Sequence, residues 1–300
     1  MKKLLFGLLV VCVCVIMIQA DRENPRDFDR DGQIAGRLAQ MRATLEAEGH
    51  TFEIGMNEAM NYSLEQLCTL KPELAAGGNS LSETQEDIPT AVLLPTAYTG
   101  FCGTIRNQGS CGSCWAYAII GQIEAQWRKV IGTYYDFSEQ FLIDCNTHGY
   151  SCNGGWFDAY SDCTYPNYFK YESCYVHGSD CLDPYCDADY CSNWYYVGNS
   201  SSVPATSSIK QRIYDKGAVA AAVYCDSYMQ AYVAGCFTRN APGAVNHAIV
   251  LCGWNDNQCG TGIGAWKVKN SWGTGWGMSG YIWIKYGCQQ VGYAACYGVY

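Results

Sequence analysis

The sequence predicts an α+β protein in which a helical half precedes a strand-rich half. From Cys114 to Val130 the apolar residues recur at steps of three and four, which is typical of an amphipathic helix. After residue 247, short apolar stretches alternate with glycine-rich turns, which is typical of strands. The 300 residues, 49% of them hydrophobic, are enough for one large or two modest cores. We therefore expect two subdomains with a cleft between them, a common place for an active site.

The first 20 residues have the layout of a signal peptide. Two lysines precede an unbroken apolar run from Leu4 to Ile18, and charged residues begin at Asp21. A membrane anchor is the alternative, but a span needs about 20 apolar residues and this run is shorter. No later stretch is apolar enough to cross a bilayer. We expect residues 1–20 to be removed and the mature protein to be exported, without a membrane partner.

A small helical region and a linker are predicted to follow. Ile34, Leu38, Met41 and Leu45 have helical spacing within a charge-rich segment. Residues 75–90 have no periodicity, few large apolar side chains and several acidic ones, so this stretch reads as an exposed linker that proteases cut.

The cysteine content and the charge restrict the compartment and the partners. Nineteen cysteines behind a signal peptide indicate an oxidising compartment and several disulfides. Loss of Cys12 and Cys14 with the signal peptide leaves an odd number of cysteines in the mature chain. At least one thiol is therefore unpaired unless it bridges two chains. The net charge of −9 argues against nucleic acid, which is bound by basic patches.

The helix predicted from Cys114 ends at Gly132, because glycine is the usual residue just beyond a helix. In the second half, strands are predicted at 248–254, 265–269 and 281–286.

Cys114 is the candidate nucleophile. It lies in the segment Gln108-Gly109-Ser110-Cys111-Gly112-Ser113-Cys114-Trp115-Ala116, at the start of the predicted helix. The positive end of the helix dipole and the free backbone N–H groups favour a thiolate there. The alternative is that Cys114 is half of a disulfide. However, Cys111 is too near along one turn for easy pairing, and the odd count requires a free thiol.

His247 is the candidate base among four histidines. His50 precedes the linker, and His148 and His177 lie in polar, cysteine-containing loops, where a solvated histidine is expected. His247 begins an apolar strand 133 residues after Cys114. A buried structural histidine is the alternative reading of such a setting.

Asn270 is the candidate group that orients the base. It belongs to the run Lys269-Asn270-Ser271-Trp272-Gly273, and its side-chain oxygen can accept a hydrogen bond from an imidazole N–H. Trp272 and Trp276 would cover that bond and keep water away. Taken alone, this run is most often only a turn, but in order after Cys114 and His247 it completes a Cys-His-Asn set.

These three ordered motifs resemble those of the papain family of cysteine peptidases, which includes the cathepsins. The resemblance covers nearly all of residues 94–300. It implies a papain-like two-subdomain fold, with a helical N-terminal subdomain, a β-barrel-like C-terminal subdomain and the active-site cleft between them. It also implies a zymogen, with an inhibitory propeptide and linker over residues 21–93 and the peptidase domain over residues 94–300.

The resemblance implies further site residues. Gln108 matches the glutamine whose amide joins the Cys114 N–H in the oxyanion hole, where one such donor is typically worth about 3 kcal/mol. Other matching positions imply contacts with the substrate backbone or the main specificity pocket: Gly154, Gly155, Trp156, Phe157, Ala222, Asn246, Trp272 and, less closely aligned, Cys296.

The resemblance also implies two disulfides, Cys111 with Cys152 and Cys145 with Cys174. Eight other cysteines include extra bridges of unassigned connectivity: Cys163, Cys181, Cys186, Cys191, Cys225, Cys252, Cys259 and Cys288. The spacing of Cys181, Cys186 and Cys191 does not match the usual zinc sites, so we expect no metal.

Residues 52–61 resemble the inhibitory propeptide of cathepsin L-like enzymes, with Ala59 and Asn61 in place of the usual Phe and Asp. Between Cys152 and Gly217 the chain lacks the paired-histidine insertion of cathepsin B-like carboxydipeptidases, which favours endopeptidase action. The expected partners are peptide and protein substrates, the chain's own propeptide and cystatin-like inhibitors.

The resemblance further implies a monomer that needs no cofactor and occupies a lysosome-like or vacuolar compartment, or is secreted. The alternatives are a catalytically silent binding protein on the same fold and an enzyme that transfers the acyl group to an amine.

Overall fold

A computed structural model describes residues 25–74 and 93–300, except residues 165, 183 and 187, with only the backbone for residues 25–31. The predicted signal peptide (1–20) and the predicted linker (75–90) lie outside the described residues. No helix of the described part combines the length and the hydrophobicity needed to span a bilayer.

The segment before the linker, here called the prosegment (residues 25–74), is largely helical, as predicted. Leu38, Met41 and Leu45 are buried along one face of the first helix, which confirms the helical spacing. The prosegment contains α1 (Pro25–Ala47), β1 (Glu53–Ile54), α2 (Leu64–Leu67) and short 3₁₀ turns at Glu58–Asn61 and Pro72–Leu74. The Ser63 hydroxyl accepts from the N–H of Gln66, and the Gln66 side chain caps Ser63 in return, so α2 has a defined start.

The remaining elements follow the two-half order expected. They are β2 (Ala97–Thr99), α3 (Cys114–Ile131), α4 (Glu139–Cys145), β3 (Asn193–Tyr196), α5 (Thr206–Lys216), β4 (Val219–Val223), α6 (Ser227–Gln230), β5 (Tyr232–Ala234), β6 (Cys236–Phe237), β7 (His247–Asn255), β8 (Ala265–Lys269), β9 (Tyr281–Lys285) and β10 (Tyr293–Val299). Two further 3₁₀ segments are Phe157–Cys163 and Pro184–Cys186.

The helix α3 begins and ends where the sequence predicts. Trp115, Ile119, Ile123 and Trp127 are fully buried on it. Gly132 follows with φ of +80°, a left-handed conformation that closes the helix.

Eight strands form one mixed sheet in the order β3-β10-β4-β7-β8-β9-β6, with β2 also paired to β7. The three predicted strands are confirmed as β7, β8 and β9. The α+β prediction is therefore correct. The barrel-like closure is not present among the described strands, because the two ends of the sheet, β3 and β6, do not pair.

Two hydrophobic cores meet at β7. One core surrounds α3, and the other contains the opposite side of the sheet and the buried face of the prosegment. Because residues alternate along a strand, Ala248 and Ile249 point to different sides of β7. Ala248 and Val250 belong to the α3 core, and Ile249 and Leu251 belong to the other. The packing of α3 against β7 brings the N-terminus of the helix to the start of this strand.

One of the two expected disulfides is present and the other pairing was wrong. Cys111 is bonded to Cys152, but Cys145 is bonded to Cys181 and Cys174 to Cys186. Tertiary contacts explain the difference. Asp144, at the end of α4, accepts a hydrogen bond from the N–H of Gly178, which places Cys145 beside the 178–181 loop. The N–H of Tyr171 donates to the Cys186 carbonyl, which places Cys174 beside the 184–186 turn.

The extra cysteines divide into bonded and free ones. Cys252 is bonded to Cys102, and Cys259 to Cys236. Seven cysteines of the described residues are free: Cys68, Cys114, Cys163, Cys191, Cys225, Cys288 and Cys296. The odd count alone therefore does not identify Cys114.

Candidate active site

Cys114 occupies the first position of α3 and is completely buried. The residue before the helix, Ser113, makes no side-chain capping hydrogen bond, so no hydroxyl competes for the positive end of the helix. The backbone N–H of Ala248, the residue after His247, is near enough to lower the pKa of the Cys114 thiol. The candidate nucleophile thus lies at the first residues of β7, as the predicted pairing with His247 requires.

His247 and Asn270 are joined by a hydrogen bond of 2.8 Å between Nε2 and Oδ1. Both residues are buried, and the Asn270 Oδ1 also accepts from the N–H of Ser271 at 2.9 Å. The His247 Nδ1 has no hydrogen-bond partner among the described residues. With Nε2 held by Asn270, Nδ1 is the ring nitrogen left to exchange a proton with a thiol.

Trp272 covers this pair. Its ring centroid lies 4.8 Å from that of His247, and Trp276 packs edge-on against Trp272 at 5.1 Å. The indole N–H of Trp276 donates to the Gln230 carbonyl at 3.0 Å, which fixes the second ring. The two indoles exclude water from the hydrogen bond between His247 and Asn270, as the sequence predicts.

Gln108 is held with its amide N–H₂ directed at the prosegment. Its Oε1 accepts from the Ser271 hydroxyl at 2.6 Å, and its Nε2 donates to the Leu67 carbonyl at 3.1 Å and to the Cys111 carbonyl at 3.0 Å. Ser271 thereby fixes which end of the amide points into the site. The Leu67 carbonyl takes the position that a substrate carbonyl would occupy if Gln108 stabilises an oxyanion.

The prosegment buries both candidate catalytic groups and changes their protonation. Burial raises the pKa of the Cys114 thiol to about 11. The N–H of Ala248 and the N–H and hydroxyl of Thr69 lower this pKa, but they do not outweigh burial. Burial lowers the pKa of His247 to about 4. The hydrogen bond to Asn270 and the proximity of the Leu67 carbonyl oppose this shift. From about pH 4 to 11 the closed site therefore holds a neutral thiol and a neutral imidazole.

Thr69 lies near the nucleophile, since its N–H and hydroxyl lower the pKa of Cys114. Its hydroxyl donates to the Gly112 carbonyl at 2.5 Å. Gly154 has φ of +110°, and a Cβ at this position would collide with the Thr69 carbonyl. The predicted substrate-contact glycine thus allows a foreign backbone to approach closely.

Leu70 is the next residue of the prosegment in the cleft and is held there by backbone hydrogen bonds. Its N–H donates to the Asn246 carbonyl at 2.9 Å, and it forms a parallel bridge with Gly155, whose carbonyl accepts from Lys71 at 3.1 Å. Asn246 and Gly155 are two of the positions expected to contact a substrate backbone. Here they hold the prosegment instead.

The Leu70 side chain is buried in the α3 core together with residues expected to line the specificity pocket. These are Trp156, Phe157, Ala222 and Cys296, each fully buried. Ala222 pairs with Ala248 across β4 and β7, which brings the pocket next to His247. None of these residues carries a charge, so they form an apolar wall around Leu70.

The other histidines lie outside the cleft. His148 contacts Asp162 at 2.9 Å, the exposed His177 contacts Asp144 at 2.9 Å, and His50 of the prosegment contacts Thr238 at 2.9 Å.

Sequence reasoning missed Ser271, although its position directly after Asn270 places it in the site. It also missed the segment Leu67–Leu70, whose role depends on where the prosegment crosses the cleft.

Comparison with known proteins agrees with this geometry. The profile of a family described as papain family cysteine protease matches residues 95–298. A cysteine proteinase of Trypanosoma brucei brucei is 31% identical over 200 residues, which are 62% of this chain and 42% of that protein. Digestive cysteine proteinase 2 of Homarus americanus is 29% identical over 246 residues, which are 77% of this chain and 74% of that protein.

A solved structure of digestive procathepsin L2 proteinase from the larval midgut of Tenebrio molitor superposes with a TM-score of 0.79. It is 25% identical and covers 92% of this chain and 94% of that one. The prosegment is thus part of the shared structure. The chain spans about half the length of several curated relatives that it matches.

Proposed function

The chain belongs to the papain family of cysteine proteases, and from this we propose that it is a cysteine endopeptidase made as a zymogen. The observation that carries the proposal is the contact set around Cys114: a thiol at a helix N-terminus, a buried histidine held at 2.8 Å by Asn270, and a glutamine amide directed at a carbonyl in the cleft.

In the proposed mechanism Cys114 gives its proton to His247 Nδ1, and the thiolate attacks the scissile carbonyl carbon. The charge that develops on the carbonyl oxygen is stabilised by the Gln108 amide and the Cys114 N–H. His247 protonates the departing amine, which leaves a thioester on Cys114. A water molecule then loses a proton to His247 and hydrolyses the thioester, which releases the acid and restores the thiol. Asn270 orients the imidazole throughout.

The latency of the zymogen has two physical causes in this proposal. Thr69 and Leu70 occupy the places of a substrate backbone and side chain. In addition, the burial that raises the Cys114 pKa and lowers the His247 pKa disfavours the thiolate–imidazolium pair. Release of the prosegment would return water to the site and remove both effects.

The proposal is tested with peptides blocked at both ends. The processed wild-type enzyme should cut them internally, and Cys114→Ala should abolish turnover while the circular dichroism spectrum stays unchanged. Cys163→Ala removes another buried free cysteine and is the matched control, expected to keep activity. An enzyme that removes only C-terminal dipeptides, or a Cys114→Ala variant with near wild-type activity, would overturn the proposal.

Adding an amine nucleophile to the same reaction separates hydrolysis from ligation. Hydrolysis predicts free carboxylate products, and ligation predicts amide products. Alkylation of Cys114 that leaves binding intact, in a chain with no turnover before treatment, would indicate the silent binding protein.

We further propose peptides and proteins as substrates, the prosegment as an internal inhibitor and cystatin-like proteins as external inhibitors. The apolar wall around Leu70 supports an apolar substrate residue in that pocket. The five disulfides support passage through the secretory pathway, to a lysosome-like or vacuolar compartment or to the outside. We propose that the enzyme acts as a monomer.

A further inference from the structure

Two free thiols meet where the prosegment contacts the enzyme. Cys68 follows α2 in the prosegment, and Cys225 follows β4 in the enzyme. Their side chains are near enough for each thiol to affect the pKa of the other. Cys68 also packs against the strand-rich core to which Cys225 belongs. The catalytic scheme uses neither thiol.

The backbones that carry these thiols are fixed on both sides. The Cys68 N–H donates to the Leu64 carbonyl at 2.7 Å. The Cys225 N–H donates to Asn246 Oδ1 at 2.7 Å, and its carbonyl accepts from Asn246 Nδ2 at 3.0 Å. The main-chain carbonyl of Asn246 binds Leu70, two residues after Cys68. Asn246 therefore holds both cysteine-bearing segments next to each other.

We propose that Cys68 and Cys225 form a disulfide that ties the prosegment covalently to the enzyme. This inference rests on the proposed zymogen. Five other cysteine pairs of the described residues are bonded, as expected for a chain that folds under oxidising conditions.

The bond forms by exchange with a low-molecular-weight disulfide such as oxidised glutathione. The thiolate of one cysteine attacks the oxidant and releases one small thiol, and the second thiolate then displaces the other. One disulfide of the oxidant is reduced to two thiols while one protein disulfide is made.

The burial of the two thiols determines when the exchange takes place. Burial raises the pKa of both Cys68 and Cys225, which lowers the thiolate fraction in the closed zymogen. The bond therefore forms during folding, while small oxidants still reach the site. It also persists when the linker is cut, so that activation requires a reductant as well as a protease.

The first test maps the bond in the full-length secreted chain. The protein is denatured in N-ethylmaleimide without reductant, which caps every free thiol, Cys114 included, and then digested for mass spectrometry. The expected product is a cross-linked peptide pair that contains Cys68 and Cys225, with neither cysteine alkylated. Alkylation of both cysteines, or a bond from Cys68 to Cys114, overturns the proposal. Because this readout needs no activity, it is independent of the proposed function.

The second test cuts the linker with an added protease and compares non-reducing gels. In the wild type the prosegment should remain attached until dithiothreitol is added. In Cys68→Ser it should separate without reductant, while the matched control Cys163→Ser should behave as the wild type. A wild-type prosegment that separates without reductant overturns the proposal.

Discussion

At the scale of single residues, the oxyanion donor gives a quantitative prediction. Gln108→Ala removes an amide that donates at 3.1 Å to the carbonyl in the cleft. We expect kcat to fall about 100-fold, because one such donor is typically worth about 3 kcal/mol. Steady-state kinetics on the processed enzyme measures the loss.

Ser271→Ala is the matched variant, because it keeps the amide and removes only the hydroxyl that orients it at 2.6 Å. The kcat of Ser271→Ala should fall less than that of Gln108→Ala, and its KM should change little. Equal losses for the two variants would contradict the assignment of the oxyanion donor to Gln108.

The protonation states of Cys114 and His247 predict a pH profile for alkylation. In the zymogen the thiol pKa of about 11 and the imidazole pKa of about 4 keep both groups neutral between these values. Iodoacetamide, which reacts with thiolate, should therefore label zymogen Cys114 slowly at pH 6 and faster as the pH approaches 11.

Processing should raise the rate of labelling at pH 6 strongly, because the exposed site can form the thiolate–imidazolium pair. Mass spectrometry of the peptide that contains Cys114 follows the rate, with Cys114→Ala as the background. A zymogen labelled as fast at pH 6 as the processed enzyme would contradict the argument.

At the scale of elements, we expect the segment that follows α2 to inhibit the enzyme through one apolar side chain, that of Leu70. Leu70 is 4% exposed, and truncating a buried leucine costs about 2–5 kcal/mol. Leu70→Ala should therefore weaken inhibition of the processed enzyme by added prosegment at least about 30-fold. Met56→Ala, at a side chain that is 51% exposed, is the control. An unchanged inhibition constant for Leu70→Ala would exclude the anchor.

The elements also show which patterns a sequence reveals. The helix α3 was predictable because its apolar residues recur with helical spacing and Gly132 follows. The pairing of β1 with β5 was not, because two-residue strands carry no periodicity. The placement of Leu67 opposite Gln108 depends on contacts between segments 41 residues apart, which local patterns do not encode.

At the scale of the whole molecule, the disulfides differ in the length of chain that they close. Cys102 and Cys252 are separated by 150 residues, and Cys174 and Cys186 by 12. The loop-closure entropy predicts stabilisation by about 5 and about 3 kcal/mol. Replacing the first pair by alanines should lower the free energy of unfolding more than replacing the second, as measured by urea titration of the Cys114→Ala zymogen. The opposite order would show that native contacts outweigh chain entropy.

Features that depend on tertiary contacts across the whole molecule could not be predicted from the sequence. Cys114, His247 and Asn270 could be predicted because their motifs occur in a fixed order along the chain. The partner of Cys145 could not, since several cysteines compete and only the contact of Asp144 with Gly178 decides between them. Nothing in the sequence predicts that Cys163 and Cys191 are free thiols, because a buried free cysteine packs as a small apolar residue.

The two-stranded pairing of β1 with β5 affects the enzyme after activation. Among the described strands β5 has no partner except β1, and the ring of Phe52 packs 4.5 Å from that of Phe237. Loss of the prosegment therefore uncovers an aromatic side chain beside backbone groups without partners. Such an edge can recruit a strand from another molecule. The processed enzyme is thus expected to be less soluble than its precursor.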